Sequence, residues 1–437
     1  MATDPLDGKT VVILGFARQG QALARWLPTI GANVIVSDTR DLGQLADELL
    51  DFLGMPIRFA LGGHPLELLE ECDALALSGS VDPKITICVS ARQHNIPLTN
   101  DAQLFLERCP APVIGITGSA GKTTTTTLVG KMCAAAGRKT WVGGNIGHVL
   151  LPDLRTMQPD HTVVMELSSF QLEIMTQSPR IACILNVTPN HLDRHGSMEA
   201  YMAAKANIFL NQNHDDLCVL GRDDPGCNVL ADQVPSRLLW FSLYDMVPDG
   251  AFVAGNRLMV AGLGSPDGGA HVVCSREDIR LRGEHNVQNV LAACAVAGAA
   301  GVSIEAMREV IKTFTGVEHR LEIVRTVDGV TYVNDSIATA PERVIAALKS
   351  FTEPIVLLAG GRDKKLPWHE MATLTAQRVR YLLTFGEYGP AIAEHVGAAQ
   401  MPGGRLEGIE VFKTLDEAFN RAAQVAHEGD IVLLSPG

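Results

Sequence analysis

The stretch Gly115-Ile116-Thr117-Gly118-Ser119-Ala120-Gly121-Lys122-Thr123 constrains this chain more than any other. It joins the apolar run Pro112-Val113-Ile114 to a helical pattern through glycines and a lysine. Glycines allow successive backbone N–H groups to turn inward on an anion, and the helix start adds its partial positive charge. In that arrangement Lys122 reaches the outer phosphates of a nucleotide and Thr123 offers its hydroxyl to Mg²⁺, which is the pattern of ATP or GTP chemistry. The usual phosphate-loop spacing asks for glycine at position 116, where Ile116 stands, so this is a shorter Thr-x-Gly-x-x-Gly-Lys-Thr variant.

The rest of the composition frames that loop. A chain of 437 residues has a prior of about three domains, and 46% hydrophobic content supplies ordinary buried cores. A net charge of −13 without any basic run argues against nucleic-acid and membrane-surface partners, so an anionic substrate must be held by local Lys, Arg and helix starts. The nine cysteines are scattered with no CxxC pair, which reads as reduced core thiols rather than a disulfide frame or zinc site. The first residues show no basic start followed by an apolar core, and no run approaches about 18 apolar residues, so a cytoplasmic location is expected.

A first block opens with the strand-like Thr10-Val11-Val12-Ile13-Leu14, the turn Gly15-Phe16-Ala17-Arg18-Gln19-Gly20, a helical pattern and a second strand, Val34 to Ser37, ending in Asp38-Thr39-Arg40. This is a βαβ unit in which Gly15 lets the turn approach a phosphate and an acid at the second strand's end takes a ribose or base hydrogen bond. Ala17 occupies the middle glycine position of the dinucleotide fingerprint, which weakens the case for a pyrophosphate pressed on that backbone. The second block, from about Ala111, carries the phosphate loop and buried-type strands at Thr162–Glu166 and 181–186. Between about Asp216 and Gly283, short alternating runs separated by Gly, Pro and Asp predict a small antiparallel patch. A third block after Gly316 alternates strands at 330–333, 355–358, 380–383 and 431–434 with helical segments, a doubly wound pattern.

Two further clusters end strands of the second block: Glu166-Leu167-Ser168-Ser169-Phe170-Gln171-Leu172-Glu173, and Asn186-Val187-Thr188 leading to His191-Leu192-Asp193-Arg194-His195. Ligands collect at the carboxyl ends of parallel strands, so an acid and a histidine there can meet a Mg²⁺ already touching phosphates. Lys205 lies on a helical segment downstream, a place where a lysine by itself reads as solvated surface.

Taken together, Thr117-Gly118-x-x-Gly121-Lys122-Thr123, Gly143-Gly144-Asn145-Ile146-Gly147, the Glu166 and Asn186 clusters, Ala204-Lys205, Gly283-x-His285-Asn286, His319-Arg320-Leu321-Glu322 and Asn334-Asp335-Ser336 stand in the order found in the Mur ligases, and the chain resembles that family over almost its whole length. Within it, the Glu-Leu-Ser-Ser-Phe-Gln-Leu form, the short first domain with Asp38-Thr39-Arg40 and the Gly360-Gly361-Arg362-Asp363-Lys364 turn resemble the branch that adds D-glutamate. The resemblance implies three successive α/β domains: a Rossmann-like domain over 1–110 for the UDP substrate, a P-loop ATPase domain over 111–315 with a parallel sheet plus the antiparallel patch, and a Rossmann-like domain over 316–437. The last would bind glutamate and close over ATP, with hinges near Pro110-Ala111-Pro112 and Gly316.

It also implies an activity: a monomer in which ATP activates the carboxylate of UDP-N-acetylmuramoyl-L-alanine as an acyl phosphate and the amine of glutamate displaces phosphate, in cytoplasmic peptidoglycan precursor synthesis. Lys122, Glu166, His191 and Lys205 carry over as catalytic, and Thr123, Glu166, His191 and a carbamylated Lys205 as ligands of Mg²⁺. Gly118, Ser119, Gly121, Lys122, Thr123, Thr124, Asn286, Asn289, Arg320 and Asp335 carry over to ATP. Gly15, Asp38, Thr39, Arg40, Asn145, Ser168 and Gln171 carry over to the UDP substrate, and Thr339 and Lys364 to glutamate.

Four departures stand out. Ala120 replaces the family's usual Asn in the phosphate loop, which leaves the backbone cradle intact. Ile337 replaces a lysine and Ala340 an Asn near the expected glutamate site. Ser78-Gly79-Ser80 replaces Ser-Pro-Gly, and the sequence stops at Gly437 where family members continue, so a shortened product is expected. The stereoisomer of glutamate stays open, since L- and D-glutamate differ only in handedness at one carbon. Competing readings are a folylpolyglutamate-synthetase-like ligase, which lacks the UDP-type first domain, and a nicotinamide dehydrogenase, which leaves Lys122, Glu166 and His191 without purpose. A nonenzymatic nucleotide switch would not need three strand-end clusters.

Overall fold

Apolar runs of four to six residues, bounded by turns and alternating with helices, can only be covered on both faces by a parallel sheet. Three such sheets form in the computed structural model, which describes residues 3–79, 81–362, 367–400 and 403–437. The first comprises β1 (Thr10–Leu14), β2 (Asn33–Asp38), β3 (Ile57–Leu61), β4 (Ala74–Leu77) and β5 (Leu98–Thr99), all parallel in the order β3-β2-β1-β4-β5. This order reverses at β1, and the Gly15 turn leaves the carboxyl end of that central strand, where open α/β sheets bind ligands. Gly20 is required by packing there, because a Cβ on it would lie 2.0 Å from the carbonyl oxygen of Gly15.

The second sheet has β6 (Val113–Thr117), β7 (Thr140–Gly144), β8 (Thr162–Glu166), β9 (Ile181–Ile184), β10 (Leu217–Gly221), β11 (Arg237–Ser242), β12 (Gly250–Ala254), β13 (Arg257–Gly262) and β14 (Gly268–Ser275). Their order is β14-β13-β12-β11-β10-β9-β6-β8-β7. The antiparallel patch is smaller than the sequence suggests: only β12–β13 and β13–β14 pair antiparallel, while β10 and β11 extend the parallel sheet. Val219 and Leu239, fully buried and cross-strand neighbours, show why: these strands are covered on both faces, unlike a half-solvated hairpin.

One apolar core runs through both sheets, from Trp26, Leu104 and Phe105 to Leu151, Leu154 and Met157. Asn100 and Gln103 extend this contact in polar form, reaching the carbonyl of Gln171 at 2.9 Å and Thr176 Oγ1 at 3.1 Å. Residues 1–279 and 284–313 therefore form one compact unit, and Ala111, at the expected first hinge, is buried within its core.

The second unit comprises residues 280–283 and 314–437. Its sheet, built from β15 (Glu322–Val327), β16 (Val330–Asn334), β17 (Ile355–Gly360), β18 (Val379–Phe385), β19 (Gly408–Phe412) and β20 (Ile431–Leu434), has the order β15-β16-β20-β17-β18-β19. All its pairs are parallel except β15–β16. Among the described residues no helix is long and apolar enough to cross a membrane, and all nine cysteines are free.

Candidate active site

β6 ends at Thr117, the loop Gly118–Gly121 follows, and the helix Lys122–Ala135 begins at once. Gly121 is the helix cap with φ +83°, and a Cβ there would lie 2.2 Å from Asn289 Oδ1. Only glycine satisfies both the left-handed backbone and that close approach. Asn289 in turn donates to Asn286 Oδ1 at 3.0 Å, so two of the expected ATP residues meet beside the loop. The loop is zipped to the end of β9 by Asn186, whose side chain accepts from Ala120 N at 2.9 Å and donates to Ala120 O at 3.2 Å. Ser119 Oγ donates to Thr188 O at 2.9 Å and lies 3.0 Å from the Tyr201 hydroxyl. The Lys122 ammonium donates to the carbonyls of Gly118 at 2.9 Å and Ser119 at 3.2 Å, which holds it over the loop it would share with a phosphate. Thr124 follows Thr123 in the first turn of the helix Lys122–Ala135, where backbone N–H groups lack intrahelical acceptors.

The neighbouring strand ends supply the acid. Glu166, 2% exposed at the end of β8, accepts from Thr123 Oγ1 at 2.9 Å on one carboxylate oxygen and from Asn145 Nδ2 at 3.0 Å on the other. Magnesium sites use one or two protein oxygens and complete the shell with phosphate and water. Two hard oxygen donors in contact at the start of a phosphate-loop helix fit that ion. His191, at φ +53°, packs its ring on Phe170 at a centroid distance of 5.0 Å. Among the described residues no three His, Cys, Asp or Glu side chains gather as a preformed metal site.

Lys205 differs most from its sequence reading. It is 1% exposed, not a solvated surface lysine, with Nζ 3.4 Å from Thr117 Oγ1 and 4.6 Å from the centre of the Tyr201 ring. Burial, reinforced by the positive charge of Lys122, holds its pKa well below the ordinary lysine value. A buried amine beside the phosphate loop is thus biased toward its neutral, nucleophilic form.

Ser168 caps the short helix Ser169–Leu172 in a reciprocal box with Gln171. The Gln171 amide is fully engaged: its oxygen accepts from Ser168 N and Oγ, and its nitrogen faces both oxygens of Asp101 at 3.3 Å. Its neighbour Ser169 reaches buried His195 Nε2 at 3.0 Å, and burial lowers the pKa of that imidazole.

At the first sheet, the Asp38 carboxylate is 5% exposed and accepts from Phe16 N at 2.6 Å, from Arg40 N at 2.9 Å and from the Arg40 guanidinium at 3.0 and 3.1 Å. Burial works to raise its pKa, but Arg40 and the two N–H groups outweigh it and hold the pKa below the ordinary value. Asp38 and Arg40 therefore pin the turn after β1 to each other and to the strand, while Thr39 between them is exposed. Beside Gly15 lies Ser78 Oγ, a buried hydroxyl without a hydrogen-bond partner; a Cβ on Gly15 would be 3.8 Å from it.

In the second unit, Asp335 is 4% exposed and accepts from Ser435 Oγ at 2.9 Å and Leu321 N at 3.1 Å, with burial raising its pKa. It fixes the turn carrying Arg320 to the ends of β16 and β20. Thr339 is exposed just before the helix Pro341–Lys349, and Lys364 lies outside the described residues. Sequence reasoning quoted Asn186 within a strand-end cluster but gave no role to it, Tyr201, Asp101 or Arg18. The signal for Asn186 was its position directly after a buried strand, where a short amide side chain can close a loop.

A family model described as Mur ligase middle domain matches residues 116–297, and one described as Mur ligase, glutamate ligase domain matches residues 319–437. The UDP-N-acetylmuramoylalanine--D-glutamate ligase of Clostridium novyi (strain NT) is 40% identical over 434 residues, 99% of this chain and 93% of that protein. The enzyme of the same name from Symbiobacterium thermophilum is 40% identical over 426 residues, 97% of this chain and 92% of its own length. Among solved structures, UDP-N-acetylmuramate-alanine ligase from Thermotoga maritima aligns with a TM-score of 0.57 at 20% identity, covering 98% of this chain and 95% of that one. E. coli FolC in complex with DHPP and ADP has a TM-score of 0.54 at 17% identity but covers only 76% of this chain and 87% of its own. At such identities the structural likeness is one of fold, whereas the full-length relatives at 40% establish that the chain belongs to the Mur ligase family.

Proposed function

We propose that this chain is an ATP-dependent amide ligase that joins D-glutamate to UDP-N-acetylmuramoyl-L-alanine in peptidoglycan precursor synthesis. The observation that carries the reading is the contact of Thr123 and Glu166 at 2.9 Å where the phosphate loop enters its helix, in a chain whose full-length relatives bear that enzyme's name. Because ATP is the phosphoryl donor, the reaction belongs in the cytoplasm, and a monomer suffices for it.

The chemistry joins two anions, so charge must be neutralised before they meet in line. Backbone N–H groups of residues 121–124 and the Lys122 ammonium hold the phosphates, while the N–H groups of Ser119 and Ala120 are committed to Asn186. Thr123 and Glu166, with His191 and Lys205, would hold Mg²⁺, which supplies further neutralisation of phosphate and carboxylate charge. A carboxylate oxygen of the alanyl group bonds to the γ-phosphorus and ADP leaves. The glutamate amine then attacks the acyl carbon, and the tetrahedral intermediate loses phosphate and the amine a proton. Asn286 and Asn289 serve the adenine end of ATP, and Asn145, Ser168 and Gln171 border the sugar-peptide.

The neutral Lys205 amine suits carbamylation. Its lone pair bonds to the carbon of CO₂ and one proton leaves, so the uncharged amine becomes a carbamate anion that Lys122 attracts. In the first domain, over residues 1–110, the Gly15 turn, Ser78 and exposed Thr39 are proposed to meet the uridine diphosphate, with Asp38 and Arg40 holding the turn. Residues 111–315 would serve ATP. From residues 316–437 we propose nucleotide contact through Arg320, steadied by Asp335, and glutamate recognition through Thr339 and Lys364.

Phosphate release from ATP tests the reading. Turnover should require UDP-N-acetylmuramoyl-L-alanine and Mg²⁺ and rise with D-glutamate but not L-glutamate. Turnover with folate derivatives alone, or none with the UDP-sugar, refutes it.

A further inference from the structure

Arg18 is the first residue of the helix Arg18–Trp26, within the same six-residue turn that begins at Gly15. Its guanidinium does not stay with the first sheet. One terminal nitrogen donates to the carbonyl of Asn145 at 2.6 Å and the other to the carbonyl of Gly147 at 2.9 Å, both in the loop after β7. Two fixed donors on carbonyls two residues apart set the orientation of that loop, which a single-headed ammonium cannot do. The loop in turn grips the acid of the phosphate site. Asn145 N donates to the Glu166 carbonyl at 2.9 Å, and Asn145 Nδ2 donates to Glu166 Oε1 at 3.0 Å. Thr123 holds the other carboxylate oxygen. A chain of four hydrogen bonds therefore runs from the turn at the end of β1, through one backbone loop, to the carboxylate at the end of β8.

We propose that Arg18 is a positioning residue that couples the two ligand sites of the first unit: it fixes the Asn145–Gly147 loop to the glycine turn, so that a uridine nucleotide seated on the turn strengthens divalent-cation and ATP binding at Glu166 and Thr123. The coupling is reciprocal, because each ligand must change the affinity of the other by the same factor. This inference rests on the ligase reading above for the identity of the two ligands. Nothing in it requires Arg18 to touch substrate.

The test is calorimetric titration of the full-length protein with Mn²⁺ and a nonhydrolysable ATP analogue, with and without saturating UDP-N-acetylmuramoyl-L-alanine, so that no turnover is needed. In the unsubstituted protein the UDP substrate should tighten the Mn²⁺–analogue complex by about fivefold or more, the lower range of such couplings. Arg18→Met should reduce that factor to below about twofold while leaving UDP-substrate affinity in the absence of cation within about threefold. Asn145→Ala, which keeps the carbonyl that Arg18 holds but deletes the amide on Glu166, should lose the coupling as well, and the double variant should lose no more than either single one. Arg18→Lys, which retains the charge and the bulk and guards against a misfolded methionine variant, should recover less than half of the factor.

No coupling in the unsubstituted protein, or the same factor in Arg18→Met, overturns the proposal. So does loss of UDP-substrate binding in Arg18→Met without cation, which would make Arg18 a direct ligand. Failure of the ligase reading is distinct: the unsubstituted protein would then bind no UDP-sugar at all.

Discussion

Asp101→Asn probes the polar seam between the first two sheets. Asp101 is 1% exposed, and its carboxylate has the Gln171 amide at 3.3 Å on each oxygen. Burial dominates, and the neighbouring amide, the backbone N–H groups and the charge of Arg18 offset it only in part, so the pKa rises from 3.8 to about 6. The native carboxyl therefore keeps its proton up to about pH 6, whereas in the unfolded chain it is lost near pH 4. Between those values the folded state binds more protons, and its stability falls as pH rises through the window. About two pKa units at about 1.4 kcal/mol each amount to about 3 kcal/mol, lost in full above pH 6.

The asparagine has the same shape, keeps an oxygen for the Gln171 amide and does not titrate. Relative to the unsubstituted protein, its stability should gain about 3 kcal/mol between pH 4 and pH 7. Urea unfolding followed by circular dichroism at half-unit pH steps measures that difference, and taking it between two proteins cancels the titration of every group they share. A difference that stays flat from pH 4 to 7, or that moves in favour of the aspartate, refutes the reasoning.

Two other substitutions bear on the site. Lys205→Ala should abolish most turnover while leaving ATP affinity within about threefold, and a small carboxylic acid in the assay should restore part of the rate where bicarbonate does not; full activity of the variant would return Lys205 to an inert role. Asp38→Ala removes the charged acceptor of Phe16 N and Arg40, so urea unfolding should show a stability loss of about 1.5–3 kcal/mol, and the loosened turn should weaken UDP-substrate affinity in calorimetry while ATP affinity stays nearly unchanged, with equal weakening of both as the refuting result.

The phosphate loop was legible because every requirement it meets is local. Glycine at 118 and 121, lysine at 122 and a hydroxyl at 123 are fixed by the path of nine consecutive residues, and the strand before them is an uninterrupted apolar run. The three sheets were legible for the same reason, strand by strand, except where burial broke the pattern. β15 reads Glu-Ile-Val-Arg-Thr-Val with nearly every residue exposed, so no alternation marks it, and its pairing with β16 is what makes it a strand. β10 and β11 were assigned to the antiparallel patch because Gly, Pro and Asp surround them; they pair parallel with each other because the helix Pro225–Ala231 between them makes a crossover, and β10 pairs parallel with β9, Leu217 opposite Ile181.

Residues that act across elements were harder to read, and the reason is the same in each case. An acid ending the second strand suggests a ligand acceptor only if its lone pairs are uncommitted, and Arg40, two residues on, already occupies both oxygens of Asp38. That spacing was a usable signal, since a short Asp-x-Arg segment lets the guanidinium fold back on the carboxylate. Lys205 carried one too. Tyr201 and Lys205 stand four residues apart on one helix and so share a face, and Ile208 continues it; a lysine on a stripe that is otherwise aromatic and aliphatic faces inward. Arg18 and Asp101 had no such local mark, because their partners lie 127 and 70 residues away. What their positions share is the seam between two sheets packed as one unit: a charge buried or bridged there depends on both sheets being in place, so no single stretch of sequence carries its mark.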